Sequence, residues 1–273
     1  MKHILFFALA AITICCTNAS TNISVKDSVV GAQADQQKKV PLFVQALLDA
    51  YPESLKGFDG DSLIFADGSK MLYDDGNERT WQQKLESCDI EDMAFWDYTD
   101  TVLPFRDPGR IRCEAFFRKM YGNTAAEVRK HARTIKWCPK LAGQSLLVTT
   151  VNHVDQQLQK VSDELDRHPE WKAYLKSAGT FNWRIVAGTQ RLSPHSFAFA
   201  IDIGVGKSSY WRWDNKGATE SDNIKYRNAM LLQIVQIFEK YGFIWGGRWY
   251  HYDTMHFEYR PELLKLRELK VEN

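Results

Sequence analysis

The sequence predicts an α+β fold: a small, mostly antiparallel sheet flanked by helices and preceded by a helical N-terminal extension. Two kinds of segment predict it. From Asn223 to Tyr241 apolar residues recur at helical spacing, with Ile224, Leu231, Ile234, Val235, Ile237 and Phe238 on one face and Gly242 where a C-terminal cap belongs. Short runs at Ser145 to Val151, Trp183 to Ala187, Phe197 to Ile203, Phe243 to Trp249 and His256 to Tyr259 have the length and the aromatic and β-branched content of strands. Their mixture along the chain points to helices packed on an antiparallel sheet.

The remaining elements follow in order. Lys2 and His3 precede an apolar run from Ile4 to Ile14, and Thr17, Asn18, Ala19 and Ser20 follow, so residues 1–19 read as a secretory signal peptide. Residues 20–39 are mostly small and polar and contain no aromatic, which makes them a linker and not a core. From Val40, Leu42, Val44, Leu47 and Leu48 recur at helical spacing, and Gly57, Gly60 and Gly68 then divide the chain into short turns. Thr124 with Glu127 three residues later is a capping box that opens a helix expected to reach Ile135. A second helix is expected over Asp155 to Leu175, interrupted near His168-Pro169 because proline disfavours helical geometry in the residue before it. Residues 40–140 are expected to pack as an extension on a core formed by residues 141–273.

Composition excludes some partners. The chain has 273 residues, 44% hydrophobic and 25% charged, and its 35 basic and 34 acidic residues leave a formal net charge of +1. Bulk electrostatics therefore suggest neither nucleic acid nor an anionic membrane as a partner. No segment after the first residues has membrane-spanning length, so no transmembrane helix is expected in the mature chain. A monomer is expected, exported to the periplasm or cell envelope. Cys15 or Cys16 offers an alternative ending for the export signal, as a lipid anchor. Cleavage after Ala19 would leave Cys88, Cys113 and Cys138, which allow one disulfide and one remaining thiol, and the spacing does not choose the pair.

The candidate chemistry lies in two segments. In Ser193-Pro-His-Ser-Phe-Ala-Phe-Ala-Ile-Asp202, strand alternation would put Phe197, Phe199, Ile201 and Ile203 on a core face, and Ala198, Ala200 and Asp202 on the other. Two alanines leading to a carboxylate suit the floor of a metal or ligand site. His195 has the wrong parity for that face, but a turn at Pro194 and Ser196 would bring it toward Asp202. Alone, the pair reads as a turn cap and a strand-end acid. The second segment, Trp249-Tyr-His-Tyr-Asp-Thr-Met-His-Phe-Glu-Tyr259, supplies a third ligand in His256 at a strand start, with Asp253 on the preceding loop as general base. His251 and Glu258 rank behind them as alternative ligand and base.

Ser193, His195, Asp202, Asp253 and His256, in this order and spacing, resemble the zinc D-alanyl-D-alanine carboxypeptidase and dipeptidase family, which includes L-alanyl-D-glutamate endopeptidases. The resemblance covers roughly residues 181–259; it departs at Ala198, where the family usually has glycine. The stretch from Asp107 to Arg112, continuing through Tyr121 and Gly122, is also similar to an N-terminal region of some exported members, with no chemistry assigned to it. The resemblance implies a zinc site at strand ends, with His195, Asp202 and His256 as ligands, Asp253 as base and D-residue-containing peptidoglycan peptides as substrates. It also implies an arginine that binds substrate or stabilises the oxyanion, at the position of Arg184; Arg191, closer in sequence, is a rival, and Ser193 is expected to contact substrate. Two histidines and one carboxylate suit a catalytic zinc with an open position. The alternatives are an L-alanyl-D-glutamate-type endopeptidase and a non-catalytic, zinc-containing wall-binding module, which would not need Asp253.

Overall fold

The computed structural model describes residues 39–272. The expected signal peptide, nearly all of the expected linker, and Cys15 and Cys16 lie outside the described residues.

The chain begins with α1 (Leu42–Ala50), whose Phe43, Val44, Ala46 and Leu47 are buried, as the helical spacing requires. Three short antiparallel strands follow, β1 (Leu55–Phe58), β2 (Ser62–Phe65) and β3 (Lys70–Leu72), joined by turns at Gly60 and Gly68, whereas Gly57, expected in a turn, is paired inside β1. Next come α2 (Trp81–Glu86), opened by a capping box between Thr80 and Gln83, then α3 (Glu114–Tyr121) and α4 (Ala125–Lys130). A two-stranded antiparallel ribbon, β4 (Ala132–Trp137) and β5 (Gln144–Thr149), leads into α5 (Val154–Leu165).

The last part of the chain contains β6 (Ser177–Gly179), β7 (Ala200–Ile203), α6 (Trp211–Asp214), α7 (Leu232–Lys240), β8 (Phe243–Trp245), β9 (His256–Tyr259) and α8 (Pro261–Glu272). Its strands form an antiparallel sheet in the order β6-β7-β9-β8. The fold is thus α+β, with small antiparallel sheets flanked by helices. The described residues cluster as one unit, and their main core runs from α1 through α3, α5 and α7 to the four-stranded sheet. Among the described residues no helix is long and apolar enough to cross a membrane.

Several expected elements are corrected. The helix expected from Thr124 to Ile135 ends at Lys130, and Ala132–Trp137 is a strand whose Ile135 and Trp137 alternate inward. The expected interruption near Pro169 is present: α5 stops at Leu165 and Pro169–Tyr174 forms a 3-10 turn. Trp183 to Ala187 is not a strand but contributes a single bridge, Ile185 to Leu192. The helix expected from Asn223 begins only at Leu232, because residues before it are drawn off into tertiary contacts: the Ile224 amide donates to the Tyr250 hydroxyl, and the Tyr226 hydroxyl donates to the Gly247 carbonyl. Strand β8 is shorter than expected because Gly246–Arg248 turns as 3-10 helix. Cys88, Cys113 and Cys138 are all free thiols.

Candidate active site

The site is assembled where β7 and β9 lie side by side. Asp202 pairs with His256 across these antiparallel strands, so their side chains share one face. His195 reaches the same face by a turn. Ser193 caps a 3-10 segment, Pro194–Phe197, through its hydroxyl, which accepts from the His195 amide at 3.3 Å. Ala198 then adopts a left-handed conformation, φ 57°, and redirects the chain into β7. The alternation expected for a strand beginning at Phe197 therefore holds only from Ala200.

Three ligand atoms converge there. Asp202 Oδ1 is 3.2 Å from His195 Nε2 and 3.0 Å from His256 Nδ1, and the three lie within 4.8 Å of one another. His195 Nδ1 faces the Thr180 carbonyl at 2.9 Å, an arrangement that places the ring proton on Nδ1 and leaves the Nε2 lone pair free. That Nε2 is buried without a hydrogen-bond partner among the described residues, although Asp202 is near. Closeness without hydrogen-bond alignment is what two groups aimed at a common third centre would show. The donor set and the bare nitrogen fit a divalent cation such as zinc.

Electrostatics reinforce this. Asp202 loses hydration by burial, yet the adjoining His195 and His256 imidazoles hold its carboxyl far below the usual range. Burial pushes against protonation of His256, but Asp202 and Glu258 on either side raise its imidazole to about 10. Asp253 behaves oppositely. Desolvation, aided by the Asp202 charge, pushes its carboxyl up to about 7, and Asp253 Oδ1 is buried without a hydrogen-bond partner among the described residues. A carboxyl of that kind, in the same cavity, can take and return a proton near neutrality.

The cavity holding these four residues has a volume of about 300 Å³. Arg184, Arg191 and Ser193 also line it. Arg184 is exposed and forms no ion pair among the described residues, its guanidinium donating only to the Ile185 carbonyl at 3.4 Å. Arg191 is more enclosed, 3.2 Å from Glu86, and burial next to Arg110 lowers its guanidinium to about 10. Arg184 is thus the freer of the two, and Arg191 the more desolvated.

Residues that sequence reasoning left without a role also line the cavity, Arg110, Arg112, Tyr210, Trp211 and Trp213, and so does His251, the lower-ranked candidate ligand. His251 is fully buried, and Asp107 receives both its amide at 2.8 Å and its Nδ1 at 2.7 Å. Asp107, Glu220 and His251 form a second convergent group. Arg110 already fills it, with one guanidinium nitrogen 2.7 Å from Asp107 and another 2.8 Å from Glu220, so no cation is needed. The one sequence signal for this group was the resemblance of Asp107 to Arg112 to an N-terminal region of related chains.

Comparison with known proteins agrees with this geometry. A family model described as D-alanyl-D-alanine carboxypeptidase matches residues 187–259. Searches of curated proteins and of solved structures return no match. The matched segment contains His195, Asp202, Asp253 and His256 and supports a peptidase acting on peptidoglycan; Arg184 and the Asp107 to Arg112 stretch lie outside it.

Proposed function

We propose that the chain is a zinc metallopeptidase that hydrolyses D-amino-acid-containing bonds in peptidoglycan stem peptides, in the manner of a D-alanyl-D-alanine carboxypeptidase. The observation that carries this reading is the convergence of His195 Nε2, Asp202 Oδ1 and His256 Nδ1 in one cavity with Asp253, whose buried Oδ1 has no hydrogen-bond partner among the described residues. When bound there, zinc would lower the pKa of a coordinated water to about 7 and polarise the scissile carbonyl.

The chain's own groups supply the remaining chemistry. Asp253 takes the proton from the attacking water and hands it to the leaving amine, a transfer suited to a carboxyl raised to about 7. Arg184, with no ion-pair partner in the cavity wall, holds a substrate carboxylate or the developing oxyanion; Arg191, already beside Glu86, is second in line. Ser193 accepts from the His195 amide, so its contribution is to position a ligand from the cavity wall. A wall-binding module would have no need of Asp253, and its retention in the same cavity favours an enzyme. The setting we infer is the cell envelope, reached through the export signal in residues 1–19.

The test is incubation of the purified protein with defined muropeptides, read by mass spectrometry beside elemental analysis. Loss of a terminal D-alanine with one zinc per chain is the expected result. Cleavage between L-alanine and D-glutamate would transfer the assignment to an endopeptidase, and equal cleavage of all-L peptides would overturn the substrate class.

A further inference from the structure

Asp107-Pro-Gly-Arg-Ile-Arg112 crosses the floor of the site from outside the segment that the family model matches. Gly109 lets it lie there: its φ is 97°, and a Cβ at this position would stand 2.3 Å from Ile244 Cδ1 on β8. The two ends of the stretch then reach different histidines of the His251-Tyr-Asp253-Thr-Met-His256 loop. Asp107 accepts from the His251 amide and faces its Nδ1. Arg112 grips Glu258 with two nitrogens, Nε at 3.1 Å and Nη2 at 2.8 Å from Oε2, and that same Oε2 is 3.2 Å from His256 Nε2.

We propose that residues 107–112 are the orienting clamp of the active site, with Arg112 acting through Glu258 on the metal-facing His256 and Asp107 fixing His251 at the other end of the loop that carries Asp253. The inference rests on the function proposed above. Its physical basis is that a ligating imidazole is aimed by whatever its second nitrogen binds, and the carboxylate that binds it must itself be held. Glu258 is fully buried, so without Arg112 it would keep Arg260, 3.3 Å away, as its only close guanidinium and could turn away from His256. A bidentate guanidinium sets direction as well as charge. Both Asp107 and Arg112 are therefore positioning residues.

The experiment measures zinc affinity of the metal-free full chain by competition with a chromophoric chelator, with steady-state kinetics on the loaded protein. Arg112→Ala is expected to weaken zinc binding by about 10- to 100-fold, with Arg112→Lys falling between it and the parent chain. Asp107→Asn is expected to leave zinc affinity unchanged while lowering kcat by about tenfold or more, with KM little altered, because an amide cannot accept at both His251 positions. Leu158→Ala, which opens a void on the buried face of α5 and outside the cavity lining, calibrates the effect of lost stability alone. If Arg112→Ala changes zinc affinity no more than Leu158→Ala does, or Asp107→Asn keeps full kcat, the clamp is wrong. The zinc measurement needs no peptidase activity, so failure of the clamp and failure of the proposed reaction are separately visible.

Discussion

At the scale of single residues, the site separates two kinds of carboxylate that share one cavity. Asp202 is surrounded by imidazoles and stays ionised, whereas Asp253 is desolvated near another acid and holds its proton up to about 7. The proposed ligand and the proposed base are therefore distinguished by environment, not by residue type. Asp253→Ala should keep its zinc and lose turnover by roughly 10²- to 10⁴-fold, measured as metal content beside kcat. Zinc lost together with activity would place Asp253 among the ligands instead. His195→Ala should do what Asp253→Ala does not, emptying the site in elemental analysis, because it removes one of the three converging ligand atoms. Arg184→Ala should lower kcat/KM by about tenfold or more at unchanged zinc content, as expected when a charge-assisted bond of about 1.5–3 kcal/mol is removed. A harmless Arg184→Ala combined with a damaging Arg191→Ala would exchange their roles.

Among the elements, the parts legible in the sequence were those whose determinants are local. The turn at Pro194 and the strand start at His256 are written in a few adjacent residues, and so was the grouping of His195, Asp202 and His256, which the structure brings together. The contacts of Asp107 and Arg112 were not legible, since their partners lie 144 and 146 residues further along and only the folded chain joins them. The overlong helix at Asn223 has the related cause that apolar spacing cannot tell a helical face from Ile224 and Tyr226 docking on the 247–250 turn. Trp183 to Ala187 has strand composition but forms one bridge, because the chain turns back at Gly188 before a ladder can grow. The stretch carrying Gly109 offers a test at this scale. Gly109→Ala should destabilise the protein by about 1–3 kcal/mol or more, through overpacking on Ile244 added to backbone strain, read as a lower denaturation midpoint. An unchanged midpoint would show that the stretch can lift from the sheet without cost.

For the molecule as a whole, buried charge ties the ends of the folded chain to the site. Arg112, Glu258, Arg260 and Glu262 form a continuous run of ion pairs, which the Tyr51 hydroxyl joins by donating to Glu262. Burial acts most strongly on Glu258 and would raise its carboxyl, but Arg112, His256 and Arg260 overcome it and hold the group at about 2, below the ordinary 4.5. Between these values the unfolded chain binds the extra proton, so the contribution of Glu258 to stability is complete above pH 4.5 and is lost as pH falls through about 2. Unfolding of the metal-free protein followed from pH 5 to about 2 should therefore be steeper in pH for the parent chain than for Glu258→Gln. Equal slopes would mean that other carboxyls govern acid sensitivity.

The contact between α1 and α8 has a consequence for how the polypeptide could be rewired. Tyr51 meets Glu262, and Asp49 lies within electrostatic reach of Lys265, so the two helices run antiparallel and the first described turn of the chain comes to rest near the last. The order of segments along the gene is then not the order the folded body requires. A permuted gene in which a short linker joins residue 272 to residue 40, and new ends open at the surface turn around Gly217, should still encode the same fold, with His195 and His256 untouched.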